Sequence, residues 1–323
     1  MIALVTGGAG FIGSHLAERL LADGHEVRVL DDLSTGSMQN IDHLLHLDRF
    51  SHRIGSVTDE QLVAELVDYA DVVFHLAAAV GVKLIVENPT RTIETNVRGS
   101  EVVLQAAAKK GKLVVIASSS EVYGKGVKSP FAEDDDLRLG PTSKTRWGYA
   151  CSKAIDEYLA LAYYRERDLP VVITRFFNTV GPRQSAQYGI VLPTFVRQGL
   201  DGSDITVFGD GEQRRCFGDV LEVVECLTRL IENQDAYGKV FNVGSNTDIS
   251  INELAHLVRD RTGGNSKIVH VPYEEAYAEG FEDLTNRVPD LSKLEHFIGY
   301  RPRTTVDVIV ERMIAEQREH VEG

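Results

Sequence analysis

The first half of the chain alternates between short apolar runs and segments of helical periodicity. The apolar runs lie at 2–5, 26–30, 71–79 and 112–117. The segments between them carry apolar residues three and four positions apart, the spacing of a helix with one buried face. The runs are nearly continuous, as expected for parallel strands covered by helices on both sides of a sheet. The pattern predicts an α/β fold built on a doubly wound parallel sheet.

The strict alternation ends after Gly181-Pro182-Arg183, so we predict a division of the chain into 1–180 and 181–323. The second part is expected to be a smaller, mixed α/β lobe, with one segment near 217–245 returning to the first domain. Beyond the boundary the pattern predicts three helices and one strand, at Val191–Leu200, Asp219–Ile231, Ile251–Thr262 and Val240–Gly244.

A glycine-rich turn joins the first strand to the first helix. Gly7, Gly10 and Gly13 are spaced three apart, and Gly24 is placed to end the helix. Such glycines allow a tight turn and let the backbone approach a pyrophosphate, which binds at the helix N-terminus.

The second strand ends in Asp31-Asp32, where an acid can accept hydrogen bonds from an adenosine ribose. That acid would repel a 2′-phosphate, so we predict a Rossmann-type domain that binds NAD rather than NADP. The alternative is that both aspartates only cap a loop.

Candidate chemistry follows a later strand. Ser119 and Glu121 lie at its end, and Tyr149 and Lys153 stand four apart, on one face of a predicted helix. An ammonium beside a phenol favours the phenolate, so Tyr149 is expected to act as a base near neutral pH. The Ser119 hydroxyl could share the same substrate oxygen. A Tyr–Lys pair at this spacing is weak evidence alone, because most such pairs form a half-exposed helix face.

Composition narrows the function classes. The net charge of −14 argues against a nucleic-acid surface, so an anionic ligand must be met by a few local arginines. The three cysteines lack metal-ligand spacing and are expected to be packing residues of a cytoplasmic protein. No apolar run approaches the roughly 20 residues that span a bilayer, so we expect no membrane partner. No set of residues has the spacing of metal ligands, so we expect no metal. Glu133–Asp136 is interpreted as a solvated loop, His75 as a core histidine, and Trp147 as packing or a wall of the site.

Six motifs, in order along nearly the whole chain, carry a family resemblance. They are TGGAGFIG (6–13), HLAA (75–78), SSSEVYG (118–124), YACSK (149–153), RFFNTVGPR (175–183) and GDGEQRRCF (209–217). The sequence resembles the extended short-chain dehydrogenase/reductase family, in its NAD-dependent group of nucleotide-sugar epimerases, dehydratases and decarboxylases. The resemblance implies a nucleotide diphosphate sugar as substrate, and a homodimer packed through the helix after Asn96 and the helix that bears Tyr149.

The resemblance also implies residue roles. Tyr149 would be the base, Lys153 its electrostatic partner and ribose ligand, and Ser119 the hydroxyl on the reacting oxygen. The catalytic set is Ser119, Ser120, Glu121, Tyr149 and Lys153. The cofactor-binding set is Gly7, Gly10, Phe11, Ile12, Gly13, Asp31, Asp32, Ser56, Val57, Leu76, Ala77, Ala78, Asn96, Tyr149 and Lys153. The substrate-binding set is Asn178, Arg183, Arg215 and Arg287. One departure is Ser56, which stands where the family often has an acid that holds adenine.

Glu121 bears on which reaction is catalysed. UDP-galactose-type epimerases have a small or neutral residue there, whereas UDP-glucuronate decarboxylases carry Thr-Ser-Glu, matched here by Ser119-Ser120-Glu121. Arg146-Trp147, Arg215-Cys216-Phe217 and Gly280–Asp283 also resemble the decarboxylases. The main interpretation is decarboxylation of UDP-glucuronate to UDP-xylose or its 4-keto form. The alternatives are a nucleotide-sugar 4-epimerase, a 4,6-dehydratase and, in another class, a non-catalytic NAD-sensing protein.

Overall fold

The computed structural model describes residues 1–81, 88–186, 190–272 and 287–322. Its centre is a seven-stranded parallel sheet in the order β11-β6-β5-β4-β1-β2-β3. The strands are β1 (Ile2–Thr6), β2 (Glu26–Asp31), β3 (Phe50–Ile54), β4 (Val72–His75), β5 (Leu113–Ser119), β6 (Val171–Phe176), β7 (Thr179–Val180), β8 (Ile205–Phe208), β9 (Arg214–Cys216), β10 (Gly218–Asp219), β11 (Lys239–Val243), β12 (Asp248–Ser250) and β13 (Ile268–Val271). The predicted doubly wound sheet is confirmed.

Helices cover both faces of this sheet and form most of the C-terminal part. In chain order they are α1 (Phe11–Ala22), α2 (Glu60–Tyr69), α3 (Pro89–Ala108), α4 (Arg146–Arg167), α5 (Val191–Leu200), α6 (Val220–Glu232), α7 (Ile251–Arg261), α8 (Ser292–Ile298) and α9 (Val306–Glu322). The three predicted helices of the second half agree with α5, α6 and α7 to within about a residue at each end. Among the described helices, none is long and apolar enough to cross a membrane.

The alternation of side chains along each strand explains why both faces of the sheet are buried. In β1, Ala3 and Val5 pack into one apolar cluster with α1 and α6, whereas Leu4 packs into the cluster on the opposite face. A third cluster, which includes Phe195 and Leu254, lies among α5, α7 and α9. The C-terminal segments therefore have a core of their own beside the sheet.

The order of the strands reverses between β1 and β4, where Thr6 lies opposite His75. Connections leave these two strands toward opposite sides of the sheet, which opens a crevice at their carboxyl ends. The α1 helix starts there and ends as predicted: Gly24 has φ +88°, and the N–H of His25 donates to the carbonyl of Leu20 at 2.9 Å.

Two predictions about polar residues are wrong. Glu133 is buried rather than solvated, and its Oε1 accepts a hydrogen bond from the N–H of Asn242 at 2.8 Å. Cys151 is exposed, whereas Cys216 and Cys226 are buried free thiols as expected. Glu133 is buried because the buried N–H of Asn242 needs an acceptor, whereas Cys151 lies on the exposed side of α4.

Candidate active site

A cavity of about 1470 Å³ runs along the carboxyl ends of the strands, between the sheet and the C-terminal segments. Every predicted site residue except Ser56 and Asn96 lines it. Active residues of doubly wound sheets are expected at this edge. The structure therefore brings together side chains that are far apart in the sequence.

The glycine turn, Thr6–Gly13, forms one end of the cavity and is shaped by missing side chains. A Cβ on Gly13 would lie 2.1 Å from the carbonyl oxygen of Gly7, and Gly7 itself has φ +72°. Phe11, Ile12 and Gly13 at the start of α1 line the cavity, and the N-cap Gly10 supplies no side-chain acceptor for the first helical N–H groups. Uncapped N–H groups at the positive end of a helix suit a phosphate.

Asp31 shapes the cavity wall next to the glycine turn. Its carboxylate accepts hydrogen bonds from the N–H of Ala9 at 2.9 Å and of Leu33 at 2.8 Å. Burial raises the pKa of this carboxyl, and the backbone hydrogen bonds act against that rise. Asp32 caps the same loop by accepting from the N–H of Ser34. Both aspartates thus brace the loop and also line the cavity.

Two predicted cofactor ligands lie behind the wall. The Ser56 hydroxyl turns back to the Thr58 hydroxyl at 2.8 Å, while its neighbour Val57 lines the cavity. Asn96 is buried; its Oδ1 accepts from the N–H of Ala79 at 2.8 Å, and its Nδ2 donates to the Ser152 hydroxyl at 3.2 Å. Asn96 therefore ties the stretch after β4 to helix α4.

His75 is confirmed as a core histidine. Its ring nitrogens lie 2.9 Å from the Thr6 hydroxyl and 3.2 Å from the Ser100 hydroxyl. Burial, and secondarily the charge of Lys153, lowers the pKa of His75 to about 3. The ring is therefore neutral at neutral pH and links β1 to α3.

Tyr149 and Lys153 project from α4 into the cavity, and Lys153 has a further partner on the same helix. The Lys153 ammonium donates to the Asp156 carboxylate at 2.8 Å. Burial and then Glu121 raise the pKa of the Tyr149 phenol, while a hydrogen bond with Ser119 opposes the rise. Desolvation therefore outweighs the neighbouring cations in the polypeptide alone, and the role of Tyr149 as a base near neutral pH stays a prediction.

A cluster of charges faces Tyr149. Glu121 Oε1 accepts hydrogen bonds from one nitrogen of Arg146 and one of Arg287, each at 3.0 Å. Ser120 lies beside them, with its hydroxyl 3.4 Å from Arg287. The Arg287 Nε is buried and has no hydrogen-bond partner among the described residues. We call Glu121, Arg146, Tyr149, Lys153 and Arg287 the reaction corner.

The reaction corner is built on a turn and a buried network. The Ser119 hydroxyl accepts the N–H of Glu121 at 3.2 Å, which starts the short turn that carries Glu121. The segment after Arg287 is held by Phe131, whose N–H donates to Val288 O at 2.8 Å. Asn242 donates to the carbonyl of Phe131 at 2.9 Å. A residue on β11 thereby supports the position of Arg287.

The other predicted substrate ligands are divided between the two ends of the cavity. Asn178 donates to the carbonyl of Cys216 at 2.9 Å, and Arg215 donates to the carbonyl of Arg214 at 2.8 Å, both on the wall formed by the C-terminal segments. Arg183 instead lies against α1, where it pairs with Glu18 at 2.5 Å and contacts the Ser14 hydroxyl.

Trp147 is buried against Leu139 and Ala150 and does not line the cavity, so it is a packing residue. Gly280–Asp283 lies outside the described residues. No cluster of metal-ligand side chains occurs within the parts of the chain that the structure describes.

The predicted catalytic and binding sets omit two charged residues of this helix, although Arg146 is part of one of the decarboxylase-like stretches. Arg146 precedes Tyr149 by three positions, and Asp156 follows Lys153 by three, so both return to the same side of the helix. The spacing is visible in the sequence. What it does not reveal is which of the many charged residues on this helix are buried.

Comparisons with known proteins agree with this geometry. The family model described as GDP-mannose 4,6 dehydratase matches residues 4–313. The UDP-N-acetyl-α-D-glucosaminuronate decarboxylase of Bacillus cytotoxicus is 45% identical over 303 residues, which are 94% of this chain and 93% of that protein. UDP-glucuronic acid decarboxylase 1 of Xenopus tropicalis is 32% identical over 329 residues, 99% of this chain and 72% of that one.

Among solved structures, the dTDP-glucose 4,6-dehydratase DesIV of Streptomyces venezuelae, with NAD bound, superposes with a TM-score of 0.88. It is 29% identical, and the match covers all of this chain and 98% of that one. The family model extends over the glycine turn and the reaction corner alike. This chain therefore belongs to the extended short-chain dehydrogenase/reductase family, in the group of NAD-dependent enzymes that act as nucleotide-sugar epimerases, dehydratases and decarboxylases.

Proposed function

We propose that this enzyme decarboxylates a UDP-linked hexuronate through a 4-keto sugar, with UDP-glucuronate as substrate and UDP-xylose or its 4-keto form as product. The observation that carries the proposal is the reaction corner. There, two guanidinium groups converge on one oxygen of Glu121, next to Tyr149. The similarity to decarboxylases over nearly the whole chain also supports it.

The charge balance of these groups favours a uronic acid. Arg146, Arg287 and Glu121 together carry one net positive charge, and their side chains are only 10%, 10% and 19% exposed. In such a partly desolvated place a carboxylate gains from a guanidinium fork. An uncharged hexose offers no partner for that surplus. The reaction corner therefore suits the carboxylate that distinguishes a hexuronate from UDP-glucose.

NAD is the proposed cofactor, held by the glycine turn, Asp31 and Lys153. The uncapped N-terminus of α1 suits its pyrophosphate, and the Asp31 carboxylate suits a ribose diol. When bound, NAD would supply a hydride acceptor for carbon 4 of the sugar, and its reduced form would return that hydride where UDP-xylose is the product. Arg183 lies beside α1 and could add positive charge at the same end of the cavity.

The chain's own residues handle the protons. Tyr149 takes the proton of the sugar 4-hydroxyl, with Ser119 as the hydroxyl that holds the same oxygen. The 4-keto product is a β-keto acid, so the electrons of the carbon 5–carbon 6 bond can pass into the carbonyl as carbon dioxide leaves. Carbon 5 then needs a proton. Glu121 is the proposed acid–base group, and its contacts with Arg146 and Arg287 orient it.

A second substrate is favoured by a specific observation. The Bacillus relative with 45% identity acts on the 2-acetamido sugar, UDP-N-acetyl-α-D-glucosaminuronate. Both sugars carry the carboxylate that the reaction corner suits, and they differ at carbon 2. The two are therefore compared directly in the experiment below.

The domain division, assembly and location are also proposals. We propose residues 1–180 with the returning β11 segment as the NAD domain, and 181–323 as the nucleotide-sugar lobe. We further propose a cytoplasmic homodimer formed through α3 and α4. Ile93 on α3 and Tyr158 on α4 are exposed apolar side chains that support such an interface. Light scattering of the purified protein tests the dimer.

The deciding experiment is mass spectrometry of products after incubation with NAD and either UDP-hexuronate, with UDP-glucose as a control. Loss of the mass of carbon dioxide from one uronate is expected, and the ratio of the two kcat/KM values identifies the substrate. Glu121→Gln should remove decarboxylation while NAD binding persists.

An unchanged mass with a new chromatographic peak would mean 4-epimerisation instead. Loss of water from UDP-glucose would mean a dehydratase, and NAD binding without turnover of any nucleotide sugar would support an NAD sensor.

A further inference from the structure

A carboxylate that no part of the proposed chemistry uses lies directly behind the Tyr–Lys pair. Tyr149, Lys153 and Asp156 fall at positions i, i+4 and i+7 of α4, which share one face of a helix. All three are buried, and Asp156 is 0% exposed. Asp and Lys are rarely buried to this degree without a specific partner.

The geometry of the pair is that of an anchor. Lys153 Nζ donates to Asp156 Oδ2 at 2.8 Å, and the other carboxylate oxygen, Oδ1, has no hydrogen-bond partner within the described residues. An ammonium has three N–H donors, so two remain for other acceptors. Lys153 also lines the cavity, whereas Asp156 does not. The carboxylate therefore holds the ammonium from the side away from the ligand space.

The surrounding charges show what else Asp156 does. On its own helix it is near Lys153 and Glu157, but Glu157 is neutralised by a bidentate contact with Arg175 at 2.9 and 2.7 Å. From α3 it is faced by the Ser100 hydroxyl, and His75 on β4 is neutral.

Tyr149 is faced by Glu121 and Arg287 from outside the helix, and the charge of Asp156 adds to those that raise the pKa of its phenol. Lys153 is the cation that offsets Asp156.

We propose that Asp156 is a positioning residue: it fixes the Lys153 ammonium on the face of α4 that carries Tyr149, and it offsets the charge of that ammonium. The inference rests on the proposed roles of Tyr149 and Lys153 and deepens them. A lysine held in this way keeps two donors directed at a ligand diol. Without Asp156 the ammonium would be free to move, and the site would gain a positive charge.

A double-mutant cycle tests the anchoring without any substrate. NAD affinity is measured by calorimetric titration of nucleotide-free wild-type protein, Asp156→Asn, Lys153→Met and the double variant. Asp156 is expected to act through Lys153, and substitutions of contacting residues are non-additive. Asp156→Asn should therefore weaken NAD binding about fivefold when Lys153 is present. In the Lys153→Met background the same substitution should have no effect on NAD binding. Equal losses in both backgrounds would overturn the anchoring role. Glu166→Gln, an exposed carboxylate on the same helix, is the matched control and should bind NAD as the wild type does.

The pH dependence of kcat/KM tests whether the negative charge of Asp156 offsets the positive charge of Lys153. Removing a negative charge near a phenol favours the phenolate, so the acid limb of kcat/KM for the turned-over hexuronate should move about one pH unit lower in Asp156→Asn. Asp156→Ala removes the hydrogen-bond acceptor as well, and its plateau rate should fall further. A limb that stays in place in both variants would refute the offset. If the wild type turns over neither hexuronate while the NAD cycle shows the coupling, the proposed function fails and the anchoring role stands.

Discussion

The glycine turn and the reaction corner lie at the same sheet edge but are made in opposite ways. The glycine turn is one contiguous stretch whose function depends on absent side chains: a Cβ on Gly13 would come within 2.1 Å of Gly7 O. The reaction corner depends on charged side chains that come from the end of β5, from α4 and from the segment at Arg287. A local backbone motif can be recognised in sequence, whereas a charge cluster exists only once distant segments pack together.

The two regions also respond differently to burial. The glycine turn presents backbone N–H groups, whose polarity does not change with pH. In the reaction corner and its surroundings, burial raises the pKa of Tyr149 and of Asp156. Substitutions in the glycine turn should therefore affect cofactor affinity, and those of Glu121, Arg146, Tyr149 and Arg287 should affect rate, specificity and pH dependence.

The largest effect is expected at the phenol of the reaction corner. Tyr149→Phe removes the proton acceptor and leaves the ring, so kcat should fall by roughly 10²–10⁴-fold. NAD affinity, measured by calorimetry, should change little, since the glycine turn and Lys153 remain. A rate within a few-fold of wild type would place the base elsewhere.

The next effect is expected in the glycine turn. Gly13→Ala puts a methyl group 2.1 Å from a backbone oxygen, so the turn must shift. NAD affinity should fall by about two orders of magnitude. Gly202→Ala is the control: it adds φ strain at +67° with nothing within 4 Å, and should cost about 1 kcal/mol of stability without changing affinity. Equal NAD affinities for the two variants would show that the turn tolerates a side chain.

A smaller and more selective effect is expected for Arg287→Lys. Lysine keeps the charge but loses the planar fork, so KM for the uronate should rise about 10-fold, while the Kd of UDP-glucose should stay the same. Steady-state kinetics and calorimetry with the two nucleotides test this. Arg261→Lys, in an exposed ion pair, provides the control. Parallel losses for both ligands would mean that Arg287 binds the diphosphate rather than the carboxylate.

The smallest effect concerns His75, which links Thr6 of the glycine turn to Ser100 on α3. Its folded pKa of about 3 lies below the ordinary 6.5, so its contribution to stability is complete above pH 6.5 and is lost as the pH falls toward 3. Between pH 7 and 5 this amounts to about 2 kcal/mol. His75→Gln should lose correspondingly less stability over that interval in urea unfolding. Parallel curves for the two proteins would contradict the assignment.

Much of this protein could be predicted from its sequence because the information is local. Strand and helix periodicity gives the sheet, Gly24 gives the end of α1, and the glycine spacing together with Asp31 marks one end of the cavity. Tyr149 and Lys153 are recognisable because a helix brings positions four apart together. These features depend on neighbouring residues along the chain.

Tertiary structure alone decided the rest. The Lys153 ammonium pairs with Asp156, and Glu133 is buried under Asn242. Arg287 reaches Glu121 from far along the chain, and Arg183 lies against α1. Each of these outcomes depends on which charges lose their water when segments pack, and on the nearest partner then available. The local sequence pattern therefore determined the fold and the glycine turn. Desolvation and ion pairing act between distant segments, so tertiary packing determined the electrostatics of the reaction corner.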